Sequence, residues 1–484
     1  MMFYASWKSL IKKWTRKKEG TMNHHLGKDM TTGSIPGNLI KFAFPILMGN
    51  ILSTGYSIIN TMWVGNLIGK DAVGAVAVSF PIFLGMVALC SGATLATSIL
   101  ISKAYGAKDY KQIQKIVNNS WTVGGIIILT ISVSGLIFCG EFLKILKTPP
   151  EMMFLATGYL RIMFINFCGL YLSYLISSIL RGVGDTVIPM IFIIISTVLN
   201  AVLDPLLILG IGPFPKMGLN GSAYSDLIAT TVTIALGVAY TFRKYKNEPI
   251  NPTKLLFEGD TVLAILNIGL PSFIQQMLIS VGYAFITVFV NNFSSASISA
   301  FGVVSKIDTI AAMPAMALMM AVSTLTAQTI GAEKSDRIKD ILKYGILVNI
   351  PVILIISILC ITFPKGIMHA FVKDMEVIQI GVDYLRIVGA GYIFFSVFYI
   401  SNGIINGAGK TLPTMILSFI SLCLVRVPLA GFLSSTRFGI HGIWIAIVIS
   451  FAASTINSLV YYRYGKWRRV ISSGKQTKKY VYVK

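Results

Sequence analysis

The chain has 484 residues, of which 55% are hydrophobic and only 12% charged, and its mean hydropathy is +0.74. Soluble domains carry about 25% charged residues, so this balance excludes a water-soluble enzyme and calls for a polytopic membrane protein. The net charge of +22 would suggest nucleic acid in a soluble chain, but its placement argues against such a partner here.

In chain order, residues 1–36 form a basic N-terminal tail with Lys8, Lys12, Lys13, Arg16, Lys17, Lys18 and Lys28. No cleavable signal is expected, because the first apolar run, from Leu39, comes too late and continues too long. Met22 stands as an alternative start to Met1. Apolar segments of bilayer length begin near Asn38, Ala72, Val117, Ala156, Val187 and Gly218, predicting six helices in an N lobe over 37–245. A charged linker, 246–260, contains Pro249 and Pro252. A second set of six begins near Val262, Ile298, Leu342, Val382, Leu412 and Gly439, predicting a C lobe over 261–465 and a basic tail over 466–484.

Twelve spans place both tails and the middle connection on one side. The basic clusters (Arg243, Lys244, Lys246 and Lys254; Lys466, Arg468, Arg469, Lys475, Lys478 and Lys479) make that side cytoplasmic in a cell membrane, with anionic inner-leaflet lipid as the expected neighbour. Cys90, Cys139, Cys168, Cys360 and Cys423 all lie in apolar runs without CxxC spacing and read as small buried hydrophobes.

The two halves are related. Leu180-Arg181-Gly182-Val183-Gly184-Asp185-Thr186 recurs about 225 residues later as Ile405-Asn406-Gly407-Ala408-Gly409-Lys410-Thr411. Tyr159-Leu160-Arg161-Ile162 recurs as Tyr384-Leu385-Arg386-Ile387, and Gly106-Ala107 as Gly331-Ala332, at the same offset. With six helices per half, the repeats are parallel, related by a pseudo-two-fold near the membrane normal. The predicted architecture is all-α: two six-helix lobes around a central cleft, the arrangement of a transporter.

Three carboxylates fall well inside predicted spans, Asp204, Asp226 and Asp308. Charge in hydrocarbon is costly, so each is a functional candidate. Asn200 lies four residues before Asp204 on one helix face, and Pro205 frees the carbonyl of Ala201. These oxygens make a credible site for Na⁺ or for a held proton near mid-bilayer, although an Asp capping a kink would look alike. Asp226 follows a small-residue stretch and could approach Asp204; two adjacent carboxylates cannot both stay ionised cheaply. Asp308 stands two residues after Lys306, on a different face, so no ion pair between them is expected. Arg161 and Arg386 read as snorkelling side chains near helix ends, whereas Arg426 is a candidate partner for an acid or an anionic group. Pro45 and Pro271 occupy matching points of the first helix of each half, where a helix could bend. Met313, Met316, Met319 and Met320 could wall an apolar binding cleft or simply pack. No Walker spacing, cofactor motif or metal-ligand cluster is present, so no enzyme is expected and energy must come from an ion gradient or from the substrate.

Over about residues 35 to 465 the chain resembles the multidrug and toxic compound extrusion (MATE) family. The likeness rests on length, the six-plus-six helices, Pro45, Thr61-Met62-Trp63-Val64-Gly65, the paired Gly-Ala motifs, Leu180–Thr186 and Asn200-Ala201-Val202-Leu203-Asp204-Pro205. The resemblance implies an antiporter that exports organic cations or drugs in exchange for Na⁺ or H⁺, working as a monomer without a cofactor. It also implies an N-lobe coupling cluster at Asn60, Asn200, Asp204 and Asp226. Family members often carry Asp where this chain has Asn60 and Thr where Asp226 is aligned, so charge is redistributed. Some branches place a Glu on the seventh helix and an Asp on the tenth; here the seventh offers Gln275, Gln276 and Ser280 and the tenth has no acid between Ile387 and Asn406, which locates coupling in the N lobe. Asp308, Lys306, Gln275, Gln276 and Met313 are the expected substrate-cleft residues. The alternative is a flippase for a lipid-linked precursor, for which Lys306 and Arg426 would supply cleft charge.

Overall fold

The structure, a computed structural model, describes residues 27–245, 249–252 and 254–467. The tail lysines and arginines before residue 27 and after 467, Lys246 and Met22 lie outside the described residues. Among the described residues, twelve helices are long and apolar enough to cross a membrane. They are α1 (Ile35–Leu67), α2 (Lys70–Gly106), α3 (Tyr110–Ile145), α4 (Pro150–Gly182), α5 (Val187–Leu209) and α6 (Leu219–Lys244). The second set is α7 (Gly259–Val290), α8 (Ser295–Gly331), α9 (Arg337–Thr362), α10 (Met375–Gly407), α11 (Thr411–Ser434) and α12 (Ile440–Tyr464). Several start a few residues before the apolar runs do, because polar caps extend them. Asp109 accepts from the Gln112 amide of α3 at 3.0 Å, and Asp374 from the Glu376 and Val377 amides of α10 at 2.9 and 3.2 Å. Large apolar side chains such as Leu129, Ile137 and Phe154 point outward, as a lipid-facing surface requires.

The repeat is visible in the packing. α2 packs on α4, α3 on α4, α4 on α6, α1 on α5 and α5 on α6; the same pairings recur between α8 and α10, α9 and α10, α10 and α12, α7 and α11, and α11 and α12. Across the lobes α1 meets α8 and α2 meets α7, an exchange-related pair, while α2 crosses α8 on the axis itself. The repeated glycines make these approaches possible. A β-carbon on Gly182 would meet Ile101 at 2.7 Å, and one on Gly407 the Ser323 carbonyl oxygen at 2.4 Å. Gly184 and Gly409 each end the motif with positive φ, +90° and +77°, where an L side chain would be strained.

Residues 27–34, which the sequence assigns to the tail, form an extended strap across the face where α2 and α8 end. The Lys28 amide donates to the Val183 carbonyl at 2.9 Å, and the Met30 amide to Gln328 Oε1 at 3.0 Å. Gln328 Nε2 donates onward to the Gly182 carbonyl at 3.4 Å, and Asn38 Nδ2 to the Met30 and Thr32 carbonyls at 3.1 and 2.8 Å. Arg337 donates to the Thr31 and Gly33 carbonyls. The strap therefore touches both lobes. α1 also begins at Ile35, inside the stretch assigned to the tail, because Ser34 accepts from the Gly37 amide and caps it.

The cysteines correct one expectation. Cys90, Cys139 and Cys360 are buried, but Cys168 is exposed and Cys423 half-buried, because apolar surface in a lipid-facing helix need not point inward.

Candidate functional site

Three helices of the N lobe bring their polar residues to one place. Tyr56 and Asn60 lie four apart on α1, Asn200 and Asp204 four apart on α5, and Ser222, Ser225 and Asp226 at i, i+3 and i+4 on α6. Each set occupies one helix face. The faces converge because α5 packs on both α1 and α6.

Asp204 is fully buried. The Tyr56 hydroxyl donates to its Oδ2 at 2.8 Å, and its Oδ1 has no hydrogen-bond partner among the described residues. Asn200 does not bond to Asp204: its Nδ2 donates to Asp226 Oδ1 at 2.9 Å, and its Oδ1 accepts from Ser225 at 3.3 Å. Asn60 joins through Ser222, whose hydroxyl donates to Asn60 Oδ1 at 3.0 Å. Asp226 lies close enough to Asp204 to feel its charge, and Tyr159 stands near both. No salt bridge to Asp204 or Asp226 forms among the described residues. Asp204 lies five residues before the end of α5 and Asp226 seven after the start of α6. At about 1.5 Å per residue the cluster is thus in the half of the lobe nearest the α5–α6 loop.

Two carboxylates, two amides and a set of hydroxyls form an oxygen-rich cluster with no base paired to it among the described residues. That donor set suits a proton or a hard monovalent cation such as Na⁺. No cluster of three His, Cys, Asp or Glu that could hold a transition metal occurs among the described residues. Sequence reading missed Tyr56, Tyr159, Ser222 and Ser225, although the four-residue spacing of Tyr56 and Asn60 was a usable signal.

The other candidates lie apart from this cluster. Asp308 belongs to the C lobe, where Tyr384 and Tyr392 of α10 donate to its two oxygens. Lys306 is exposed and makes no ion pair with Asp308. Gln275 is turned toward α11, with Nε2 2.8 Å from Ser418 Oγ, so it binds its own lobe. Gln276 is half-buried on α7. Met313 is buried, at 5% exposed, whereas Met316 is 37% exposed. Pro45 and Pro271 are buried inside unbroken α1 and α7. Arg161 and Arg386 are exposed.

The MatE family profile matches the chain twice, over residues 45–206 and 271–432, starting at the two equivalent prolines. "Probable multidrug resistance protein YoeA" of Bacillus subtilis is 32% identical over 442 residues, covering 90% of this chain and 95% of its own. "Probable multidrug resistance protein NorM" of Thermotoga maritima is 25% identical, covering 89% and 93%. Among solved structures, a MATE transporter in its straight conformation superimposes with a TM-score of 0.86 at 22% identity, covering 94% of this chain and all of that one. The same transporter fold, the doubled match and the full-length relatives agree: this chain belongs to the MatE family of multi-pass membrane transporters, which are not enzymes.

Proposed function

We propose that the protein is a secondary active antiporter that exports cationic or amphipathic organic compounds in exchange for H⁺ or Na⁺, with Asp204, Asp226, Asn200 and Asn60 as the ion-coupling residues. The observation that carries this reading is the buried Oδ1 of Asp204, a carboxylate oxygen with no partner among the described residues, beside a second acid and no base. A bare buried charge is costly, and a proton or Na⁺ at that oxygen removes the cost. α1 contributes Tyr56 and Asn60 to the cluster and also packs against α8 of the other lobe, so ion occupancy has a direct mechanical route to the lobe interface. Ion entry would favour one arrangement of α1 about Pro45, with Pro271 as its C-lobe counterpart, and release the exported compound; ion release would reset it.

The names of the relatives, multidrug resistance and export proteins, support the substrate class. Asp308, Lys306, Gln275, Gln276 and Met313 remain the proposed substrate-side residues, and the protein would act as a monomer in the cell membrane. Arg243, Lys244, Lys254, Lys334, Arg337 and Lys466 all flank one face, which supports a cytoplasmic assignment of the termini and the division into lobes 37–245 and 261–465 about the 246–260 linker. The lipid-precursor flippase reading is weakened, because Arg426 faces Asp308 and its charge is offset within the lobe.

Efflux of ethidium from proteoliposomes under separately imposed Na⁺ and H⁺ gradients tests the assignment. Asp204→Asn should abolish gradient-driven efflux while dye binding persists. Full gradient-dependent efflux by that variant would refute it.

A further inference from the structure

The C lobe contains a half-buried acid with its own fittings. Asp308 on α8 accepts from the Tyr392 hydroxyl at Oδ1 (2.5 Å) and from Tyr384 at Oδ2. Both tyrosines are buried, 3% and 1% exposed. The Tyr384 ring stands edge-on to Trp444 at 4.7 Å, and Trp444 stacks on Phe301 at 5.8 Å, so the donors are held in place by aromatic packing. Tyr384 is the repeat equivalent of Tyr159, which stands beside Asp204 and Asp226 in the N lobe. The duplicated tyrosine thus attends an acid in both lobes, although the acids sit on different helices.

The C-lobe site differs in one respect: it includes a base. Arg426 of α11 interacts electrostatically with Asp308 without reaching salt-bridge distance among the described residues. Its Nε donates to Ser450 Oγ at 2.7 Å and its guanidinium lies 5.0 Å from the Phe451 ring centre. It closes a π-helical turn, Ile420–Arg426, a rare geometry that interrupts α11 at this depth. The titratable or charged groups that face Asp308 are Tyr384 and Tyr392 of α10, Arg426 of α11, Tyr283 of α7 and Cys360 of α9. α12 presents the uncharged Trp444.

We propose that Asp308, Tyr384, Tyr392 and Arg426 form a second ion site, selective for a proton, in which Arg426 is a built-in counter-charge. The inference rests on the ion-coupled reading of the chain. Arg426 opposes any added cation, so the donor set must discriminate: Na⁺ needs several oxygens turned toward it, whereas both tyrosine hydroxyls point their protons at the carboxylate. A proton needs a single lone pair: it binds one carboxylate oxygen, and the tyrosine on that oxygen rotates from donor to acceptor. The Asp308 and Arg426 pair then changes from neutral to carrying one positive charge on Arg426, uncompensated by its acid in a medium where that is costly. Movement of α11 at its π-helical turn is the response this charge would drive.

The test uses pH-difference infrared spectra of the purified full-length protein, read at the protonated-carboxyl band, together with H⁺-driven and Na⁺-driven ethidium efflux from proteoliposomes. Wild type should show a band component that is lost in Asp308→Asn and kept in Asp204→Asn. Asp308→Asn should lower H⁺-driven efflux about tenfold. Because Asp308→Asn strands a half-buried arginine, the double variant Asp308→Asn/Arg426→Gln is included. It should regain folded yield on gel filtration while still lacking the band component. A wild-type band unchanged in a folded Asp308 variant would overturn the proposal, as would a double variant no better folded than the single. Wild type without any ion-driven efflux would instead sink the antiporter reading itself.

Discussion

Gly331 of α8 lies so close to Lys103 of α2 that a β-carbon on the glycine would stand 1.9 Å from the lysine's carbonyl oxygen. The relationship is reciprocal, since a β-carbon on Gly106 would stand 2.0 Å from the Gln328 carbonyl oxygen. Neither obstacle is a side chain that can turn away. The repeated Gly-Ala motif is therefore the crossing point of the two lobes, where backbone meets backbone on the pseudo-two-fold.

Gly331→Ala should force α2 and α8 apart and destabilise the protein by about 1–3 kcal/mol, with a matching fall in Tm. Gly302→Ala, on the same helix but with open space around the new methyl, is the control and should change little. Equal Tm values for the two variants would show that the crossing tolerates separation.

Tyr56 donates to Asp204 Oδ2 at 2.8 Å. Tyr56→Phe keeps the ring and removes about 1 kcal/mol of interaction, so the ion concentration for half-maximal efflux should shift by about fivefold with maximal rate largely retained. Asp204→Asn should instead remove the ion response altogether. A Tyr56→Phe variant with an unchanged ion dependence would place the tyrosine outside the site.

Gln328 is fully buried and joins the strap to both lobes. Gln328→Leu leaves the Met30 amide without its partner, at a cost of about 1–3 kcal/mol. Amide hydrogen exchange over residues 28–32 should accelerate well before that of α8. Unchanged protection of Met30 would mean that the strap is held by its other bonds, through Lys28, Asn38, Lys334 and Arg337.

The start of α7 is tied to α3 by two contacts of very different worth. Lys115 pairs with Glu258 at 3.3 Å on the surface, half-exposed on the lysine side, and such pairs contribute about 0–1 kcal/mol. Asn119, fully buried, accepts from the Glu258 amide at 2.7 Å, and stranding that amide costs about 1–3 kcal/mol. Asn119→Ala should therefore lower Tm clearly more than Glu258→Gln, despite removing no charge. The reverse order would make the ion pair the main fastening.

Spans, repeats and the existence of buried acids are properties of the linear sequence, because a bilayer demands uninterrupted apolar helices and a duplication leaves its offset in the residues themselves. Pro45 and Pro271, Asp204 and the Gly-Ala pairs were legible for that reason. Tertiary structure alone decided which polar atoms meet. Asn200 shares a face with Asp204, yet its amide turns to Asp226, because α6 lies closer to that side of α5 than any rotamer rule along one helix can reveal. Helix packing likewise placed Asp308 between two tyrosines, and folded residues 27–34 into a strap instead of a tail. Periodicity tells which side of a helix is polar; only the neighbour brought against it determines what that side does.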